Sequence, residues 1–284
     1  MRSEVRRIWK LYAALFSLVL AFLVWSFLVE PNRLVVHRVT VPLIARQSGG
    51  PLTPLMPLTV AVLGDLHVGS PFIDRAKLRT IVDTTNALAP DLVVLLGDFV
   101  IQDVLLGKFV PPEVAAEELA RLRAPRGVFA ILGNHDWWLD GPRIRTALVS
   151  AHITVLENES APIQPHTWVA GVADLWTRKP DLEATLRAIP DGDAILLLTH
   201  SPDLFPDVPS RVALTLAAHT HGGQVALPFL GRLIVPSRYG QRFAAGLIEE
   251  RGRKMFVTSG IGTSILPIRF RVPPEIALLT LTFR

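Results

Sequence analysis

The segment Leu92-Val93-Val94-Leu95-Leu96-Gly97-Asp98 decides which fold we expect for this chain. Five consecutive apolar residues predict a buried β-strand, and the Gly-Asp pair that follows them predicts a turn. The same pattern, an apolar run and then a short loop carrying His, Asp or Asn, occurs at four other places. The five loops are 64–67 (GDLH), 97–98 (GD), 133–136 (GNHD), 199–202 (THSP) and 219–223 (HTHGG).

From Leu58 onward, apolar runs alternate with amphipathic helical patterns, which predicts an α/β domain whose early strands are largely parallel. The predicted strands cover 35–41, 58–63, 92–96, 128–132, 167–172, 194–198, 212–217, 255–258 and 276–281. The predicted helices cover 75–88, 113–123, 142–151 and 182–188. In such sheets, ligands bind outside the carboxyl ends of the strands. The five loops lie there and hold five of the eight histidines, so we expect them to converge in one pocket.

The residue types in these loops suit a pair of divalent cations. An Asp-x-His sequence places two ligands on one loop, and a carboxylate such as Asp98 can bridge two ions with its two oxygens. The chain has no cysteine, which excludes a Cys-based zinc site. Nitrogen and oxygen ligands favour Mn, Fe or Zn over Ca. Taken singly, each loop has an ordinary explanation, because an Asp after Gly is usually a turn residue.

In this order, the five segments resemble the signature of the calcineurin-like metallophosphoesterase superfamily: D-x-H, G-D, G-N-H-[DE], an isolated His, and G-H-x-H. The match extends from about residue 58 to residue 225. The apolar N-terminus, the Gly-Gly-Gln after the last His and the segment 260–264 resemble the membrane-anchored bacterial branch of that family. The resemblance implies an α/β sandwich of two mixed β-sheets flanked by helices, preceded here by one transmembrane helix.

The resemblance also implies two divalent metal ions and seven ligands. Asp65, His67 and His221 resemble the ligands of the first ion; Asn134, His200 and His219 resemble those of the second; Asp98 resembles the bridge.

Two further residues of the third loop have implied catalytic roles. His135 resembles the histidine that binds no metal and stabilises the transition state or protonates the leaving oxygen. Asp136 resembles its partner, and a turn-forming role is the alternative. The chain departs from the family pattern at Gly64, where Ser is common, and at Ala218, where Gly is usual. Neither departure replaces a ligand.

Four arginines are candidate phosphate contacts, and Trp137-Trp138 either lines a substrate surface or packs under the next helix. The arginines are Arg238, Arg242, Arg269 and Arg271.

The basic excess of the chain lies at its N-terminus. The 284 residues carry 29 Lys and Arg against 25 Asp and Glu, a net charge of +4. Residues 1–10 contain four basic groups and one acidic group, so the remainder of the chain is close to neutral. A nucleic-acid binder would carry a dense basic face, and we therefore expect no specific nucleic-acid partner. The sequence indicates no protein partner either.

Residues 11–29 form a run without a charged residue and predict a membrane anchor. As a helix, 19 residues span about 28 Å, close to the thickness of one hydrocarbon core. The alternatives are a buried core helix and a cleaved signal peptide, but no small-residue cleavage site follows Trp25. Residues 1–10 are the basic flank, 30–57 a linker whose segment 47–57 is rich in Gly and Pro, and 58–284 the metallophosphoesterase domain.

These expectations combine into a membrane-anchored phosphoesterase. We expect metal-activated hydrolysis of a phosphodiester or pyrophosphate, and the resemblance extends to hydrolases of a lipid-linked substrate, UDP-2,3-diacylglucosamine. The positive flank favours a bacterial inner-membrane protein with one span and an outward-facing body, and Arg6-Arg7 also fits a twin-arginine export signal. The alternatives are a non-catalytic membrane scaffold that retains the fold and a nuclease built on it.

Overall fold

A computed structural model describes residues 2–43, 56–102 and 104–283 of the chain. Most of the Gly- and Pro-rich segment expected at 47–57 lies outside the described residues. The helices are α1 (Arg2–Val24), α2 (Arg75–Ala87), α3 (Pro112–Leu119), α4 (Asn134–Ser150) and α5 (Leu182–Leu186). The first seven strands are β1 (Val35–Leu43), β2 (Leu58–Leu63), β3 (Leu92–Leu95), β4 (Val128–Ala130), β5 (Thr154–Val155), β6 (Glu159–Gln164) and β7 (Thr167–Gly171). The other seven are β8 (Ala194–Leu198), β9 (Leu214–Ala217), β10 (Ala226–Leu227), β11 (Gly231–Arg232), β12 (Gly246–Glu250), β13 (Arg253–Val257) and β14 (Glu275–Phe283).

Two six-stranded mixed sheets form the body. The first sheet has the order β1-β14-β2-β3-β4-β5, and its neighbours are parallel except for β14 and β2. The second has the order β12-β13-β9-β8-β7-β6, with a parallel centre and an antiparallel pair at each edge. Strands β10 and β11 form a separate hairpin. The expected α/β architecture with two mixed sheets flanked by helices is confirmed.

The apolar strand residues build three layers of core. Val60 and Val94 of the first sheet pack against Leu196 and Leu216 of the second. The other face of the first sheet is covered by α2, α3 and α4. The other face of the second sheet is covered by α5 and a 3₁₀ turn. Because the central strands are buried on both faces, they read as continuous apolar runs in the sequence.

The structure adds elements that the sequence patterns did not indicate. The edge strands β6 and β12 and the short strands β5, β10 and β11 were not expected. Helix α4 begins at Asn134 and not at residue 142. It bends at Asp140, whose backbone leaves the helical region two residues before Pro142. The carboxylate of Asp140 accepts from the amide N–H of Arg143 at 3.1 Å and caps the second half. The expected helix was therefore only the second half.

The N-terminal helix stands away from the body over most of its length. Helix α1 continues through a π-helical turn, Trp25–Val29, and a 3₁₀ turn, Glu30–Asn32. The stretch Glu4–Asn32 is long and apolar enough to cross a membrane, and almost all of it is exposed. A core helix would be covered by the protein, so this exposure argues against that alternative. Only the end of the stretch, including Ser26 and Glu30, is buried against the body.

A buried carboxylate joins α2 to α3. The side chain of Glu118 accepts from Arg75 Nε at 2.7 Å, Arg79 Nη2 at 2.8 Å and Arg121 Nη1 at 3.2 Å. These hydrogen bonds, with Arg79 and Arg75 contributing most, lower the pKa of Glu118 to about 2. A carboxylate whose pKa falls on folding stabilises the native state above its ordinary pKa of 4.5, and this contribution disappears as the pH falls towards 2.

We therefore expect Glu118→Gln to lower the free energy of unfolding by roughly 1–2 kcal/mol at neutral pH. The loss should shrink as the pH falls through the acid range, because the wild-type carboxylate is then protonated as well. Glu117→Gln is the matched control, since the Glu117 side chain is 61% exposed and pairs with Arg75 at 2.9 Å. Denaturation of the full-length protein in detergent measures both variants. Equal losses for the two would contradict the prediction.

Candidate metal centre

The fold brings the five predicted loops to one edge of the sandwich. Three loops follow β2, β3 and β4 of the first sheet, and two follow β8 and β9 of the second. Within each sheet these strands are parallel to one another, so their carboxyl ends lie together. All seven expected ligands are buried there. They form two neighbouring groups of side chains, and one oxygen of Asp98 faces both groups.

The first group contains Asp65, His67 and His221. One potential ligand atom of each residue lies within 4.8 Å of those of the other two. The Nε2 atoms of His67 and His221 are 3.1 Å apart. Burial raises the pKa of Asp65 to about 7 and lowers that of His67 to about 4 and that of His221 well below its usual range. Both imidazoles are therefore neutral at neutral pH.

The second group contains Asp98, His200, His219 and Asn134. His200 Nε2 lies 3.2 Å from Asp98 Oδ2, from Asn134 Oδ1 and from His219 Nδ1. Burial, together with His200, lowers the pKa of His219 to about 3. Burial disfavours a charge on His200, but Asp98 outweighs that effect and raises the pKa of His200 to about 10. A cation at this group would compete with the His200 proton.

One oxygen of Asp98 faces both groups. Asp98 Oδ2 is 3.2 Å from His200 Nε2 and 3.6 Å from His67 Nε2. The other oxygen, Oδ1, accepts from the backbone N–H of His135 at 2.9 Å. Asp98 Oδ1 thus also holds the loop that carries His135, and the expected bridging role of the carboxylate stays a prediction.

Backbone carbonyls orient two of the imidazoles. His67 Nδ1 lies 3.1 Å from Val100 O, and His200 Nδ1 lies 2.7 Å from Leu96 O. A carbonyl can only accept, which assigns a proton to Nδ1 of both rings and directs their Nε2 atoms at the cluster.

The donor set fits divalent cations. Within the described part of the chain, the buried Oδ2 of Asp65 has no hydrogen-bond partner. The buried Nε2 of His219 and Nδ1 of His221 also lack a hydrogen-bond partner there. Buried polar atoms without partners cost free energy, and a bound cation would satisfy the carboxylate oxygen of Asp65. Imidazole and carboxylate donors of this kind suit Mn, Fe or Zn.

The ligand loops have strained backbones. Asp65, His67, Asp98, His219 and His221 have φ values of 50°, 42°, 55°, 70° and 50°. None is glycine, and residues with a side chain rarely adopt this left-handed region. Such strain persists only where the surrounding structure enforces it, as at functional sites.

The Asp136 carboxylate is engaged by backbone amides. It accepts from the N–H groups of Gly133 at 2.9 Å, Asp98 at 2.8 Å and Phe99 at 2.8 Å. It thereby ties the β3 loop to the start of α4, which matches the turn-forming role given above as the alternative. Burial, and then the nearby Asp98, raise the pKa of Asp136 to about 7.

A cavity of about 360 Å³ opens over the two groups. His135 lines it, with its ring centroid 4.8 Å from that of His67 and 4.9 Å from that of Trp138. Trp138 therefore lines the cavity, whereas the Trp137 ring packs under Arg178 at 4.4 Å. The sequence patterns missed Trp176, whose ring lies 4.7 Å from His219 in the opposite wall. No local motif marks that position.

The candidate phosphate contacts lie outside the described lining of this cavity. Arg269 is fully buried and donates to the carbonyl oxygens of Val272, Ser259 and Gly262. Arg242 pairs with Glu250. Arg238 lines a neighbouring cavity, and Arg271 is exposed. The segment 260–264 instead supports Asp65, because Gly262 N–H donates to Asp65 O at 2.7 Å.

The two departures from the family pattern are in contact with each other. A Cβ atom added at Gly64 would lie 2.7 Å from the Cβ of Ala218, closer than real Cβ atoms approach. Ala218 does not have a positive φ, so its methyl group causes no backbone strain. Positions 64 and 218 therefore pack against each other, and in this chain the glycine is at position 64 and not at position 218.

We expect Gly64→Ser to destabilise the protein by about 1–3 kcal/mol, because the added side chain overlaps Ala218. Ala218→Gly in the Gly64→Ser background should recover part of this loss, although Ala218→Gly alone should be mildly destabilising. A double-mutant cycle of unfolding free energies measures the coupling. Additive losses would show that the two positions do not compensate each other.

Comparison with known proteins gives a single family. The family model of calcineurin-like phosphoesterases matches residues 58–223. A metallophosphoesterase of Bacillus subtilis is 33% identical over 230 residues, which are 78% of each chain. The Escherichia coli phosphodiesterase YaeI is 32% identical over 79% of this chain and 82% of its own.

A third relative is named for its substrate. The UDP-2,3-diacylglucosamine pyrophosphatase LpxG of Chlamydia trachomatis is 26% identical over 90% of this chain and 92% of its own. Other relatives are longer, and this chain spans between 48% and 60% of their length.

Proposed function

Because this chain belongs to the calcineurin-like phosphoesterase family, we propose that it hydrolyses phosphodiester or pyrophosphate bonds at two divalent cations, beside a membrane that holds α1. Its relatives, named as a phosphodiesterase and a pyrophosphatase, agree with a metal-dependent phosphoric ester hydrolase. The observation that carries the two-cation proposal is the position of Asp98 Oδ2, within 3.6 Å of both His67 and His200.

Each of the two groups of side chains would supply the ligands of one cation. Asp65, His67 and His221 would hold one ion, and Asn134, His200 and His219 the other. Asp98 serves both, since its Oδ2 is common to the two groups. The donors are supplied by both sheets, so the sandwich has to be intact before either site is complete.

When bound, the two cations supply positive charge that neutralises a phosphoryl group and activates water. His135 lines the cavity beside both groups, and its imidazole is placed to donate a proton to the leaving oxygen. The Asp136 carboxylate fixes the loop that carries His135 and acts as a positioning residue. Trp138 and Trp176 form walls that restrict water and hold an apolar part of the substrate.

Three observations support a membrane-proximal enzyme with a lipid-linked substrate. Helix α1 is exposed, apolar and preceded by basic residues, as a membrane anchor would be. LpxG is named as acting on a lipid-linked pyrophosphate, and this chain aligns with 92% of it. The cavity walls are apolar apart from the metal ligands and a few polar groups. The basic flank favours a bacterial inner-membrane location with the body on the outer face.

The role of His135 can be tested with the full-length protein in detergent. We expect His135→Ala to retain its manganese and to hydrolyse bis(p-nitrophenyl) phosphate about 10²–10⁴ times more slowly, because a positioned proton donor is lost. His152→Asn is the control, since His152 is exposed and asparagine tolerates its φ of 60°. Metal analysis and steady-state rates measure both variants. Wild-type turnover in His135→Ala would refute the assignment.

The shared role of Asp98 predicts a difference in metal content. Asn134→Ala should weaken only the second site, so that the protein retains about one of two manganese ions after dialysis. Asp98→Asn should weaken both sites and abolish activity. In the wild-type protein, a chelator should remove the activity and added manganese should restore it. Asp83→Asn, at an exposed carboxylate on α2, is the control. Equal metal loss in the Asn134 and Asp98 variants would argue against a shared ligand.

A further inference from the structure

Exposed apolar side chains concentrate around the mouth of the metal cavity. After α1 and its terminal turns, fourteen large apolar residues of the described chain are exposed, and nine of them fall in three short segments. We call these nine the apolar rim: Leu105, Leu106, Phe109, Phe229, Leu230, Leu233, Ile234, Ile265 and Leu266. Phe229 is the extreme case, because it is fully exposed at the tip of the β10–β11 hairpin. Soluble proteins rarely leave such a concentration uncovered.

Hydrogen bonds join the three segments into one surface. Leu105 N–H donates to Ile265 O at 2.9 Å, and Gln224 Nε2 donates to Leu266 O at 3.2 Å. A Cβ atom on the adjacent Gly223 would lie 2.8 Å from Ile234 O, which places the hairpin segment beside Gln224. Ile234 and Ile265 also line the metal cavity. The cavity therefore opens within the rim.

The rim is continuous with the end of the apolar N-terminal helix. The Phe22 ring lies 4.9 Å from that of Phe270, and Arg269 N–H donates to Ser26 O at 2.9 Å. Phe270 N–H in turn donates to Gln224 O at 2.9 Å. The segment from Ile265 to Phe270 thus carries rim residues at one end and contacts with the helix at the other. A membrane that holds α1 would lie close to this face.

The charges of the three segments favour a lipid surface over a protein partner. Residues 104–109, 228–235 and 264–271 contain no Asp or Glu. They contain Lys108, Arg232, Arg269 and Arg271, of which Lys108 and Arg271 are exposed. Apolar and aromatic side chains beside basic groups are the composition that inserts into the interface of an anionic bilayer.

We propose that the apolar rim docks on the lipid bilayer and seats the mouth of the metal cavity at the membrane surface. This inference rests on the anchoring proposed for α1. Phe229 and Leu230 at the hairpin tip, with Leu105 and Leu106, enter the boundary between headgroups and acyl chains. Lys108 and Arg271 contact lipid phosphates. A lipid-linked phosphoester then reaches the cations from the bilayer, with its chains passing over Ile234 and Ile265.

The absence of cysteine makes a direct test possible. Single variants Phe229→Cys and Leu106→Cys of the full-length chain are labelled with an environment-sensitive fluorophore. They are reconstituted in nanodiscs of phosphatidylethanolamine and phosphatidylglycerol that hold one copy each. We expect quenching by lipids with a doxyl group near the headgroup, together with protection from aqueous iodide. Val149→Cys is the matched control, because Val149 is an exposed apolar residue on α4 outside the rim.

The outcomes separate docking from the proposals on which it rests. A label at Leu18→Cys reports on α1 alone, and hydrolysis of bis(p-nitrophenyl) phosphate by the same samples reports on the enzyme. Severalfold stronger lipid quenching at residues 229 and 106 than at residue 149 supports docking. Lipid quenching of the label at residue 18, without lipid quenching at residue 229, would overturn docking. It would still support α1 as a membrane anchor. Protection of residue 229 from both quenchers would indicate a protein contact and would also overturn it.

Discussion

The carboxylate of Asp98 is the point at which both sheets, both groups of candidate ligands and the loop that carries His135 meet. Burial opposes its ionisation, but His200 and the other nearby histidines outweigh that effect and hold its pKa well below the usual range. One oxygen faces the imidazoles of His67 and His200, and the other accepts from the amide of His135. Its own amide is bound by Asp136. A displacement of Asp98 would therefore move every part of the site at once.

Gly97 and Gly133 have no room for a side chain, because the Asp98 carboxylate and the neighbouring backbone lie too close to them. A Cβ atom on Gly133 would lie 2.2 Å from Asp98 Oδ1, and one on Gly97 would lie 2.5 Å from Gly133 N. Gly97 also has a φ of 87°. The backbones of the Gly-Asp and Gly-Asn-His-Asp segments are thus in direct contact, and the Asp98 carboxylate packs against both. Five ligands keep left-handed backbones beside them, and the sheets on either side supply the packing that enforces this strain.

The sequence patterns predicted those elements whose own residues form a recognisable local pattern. The bounds of β2 and β8 agree with the prediction, because a strand buried on both faces is a continuous apolar run. The edge strands β6 and β12 were not predicted, since most of their residues are half-buried or exposed and β6 contains Pro162. The start of α4 was assigned to a loop because its residues carry the site. Contacts between distant segments, such as Gly64 with Ala218 or Trp176 with His219, leave no local signal.

The distribution of charge explains how a nearly neutral body can select a phosphoester. Most of the formal excess of +4 belongs to the first ten residues, and of the candidate arginines Arg269 is buried and Arg242 is paired with Glu250. The described cavity lining contains no Lys or Arg, so the charge that meets a phosphoryl group has to come from the bound cations. The remaining wall combines tryptophan, isoleucine and proline with a few uncharged polar side chains such as Gln102 and Gln224. This lining agrees with the proposed substrate, a phosphoester attached to a large apolar group and held in a bilayer.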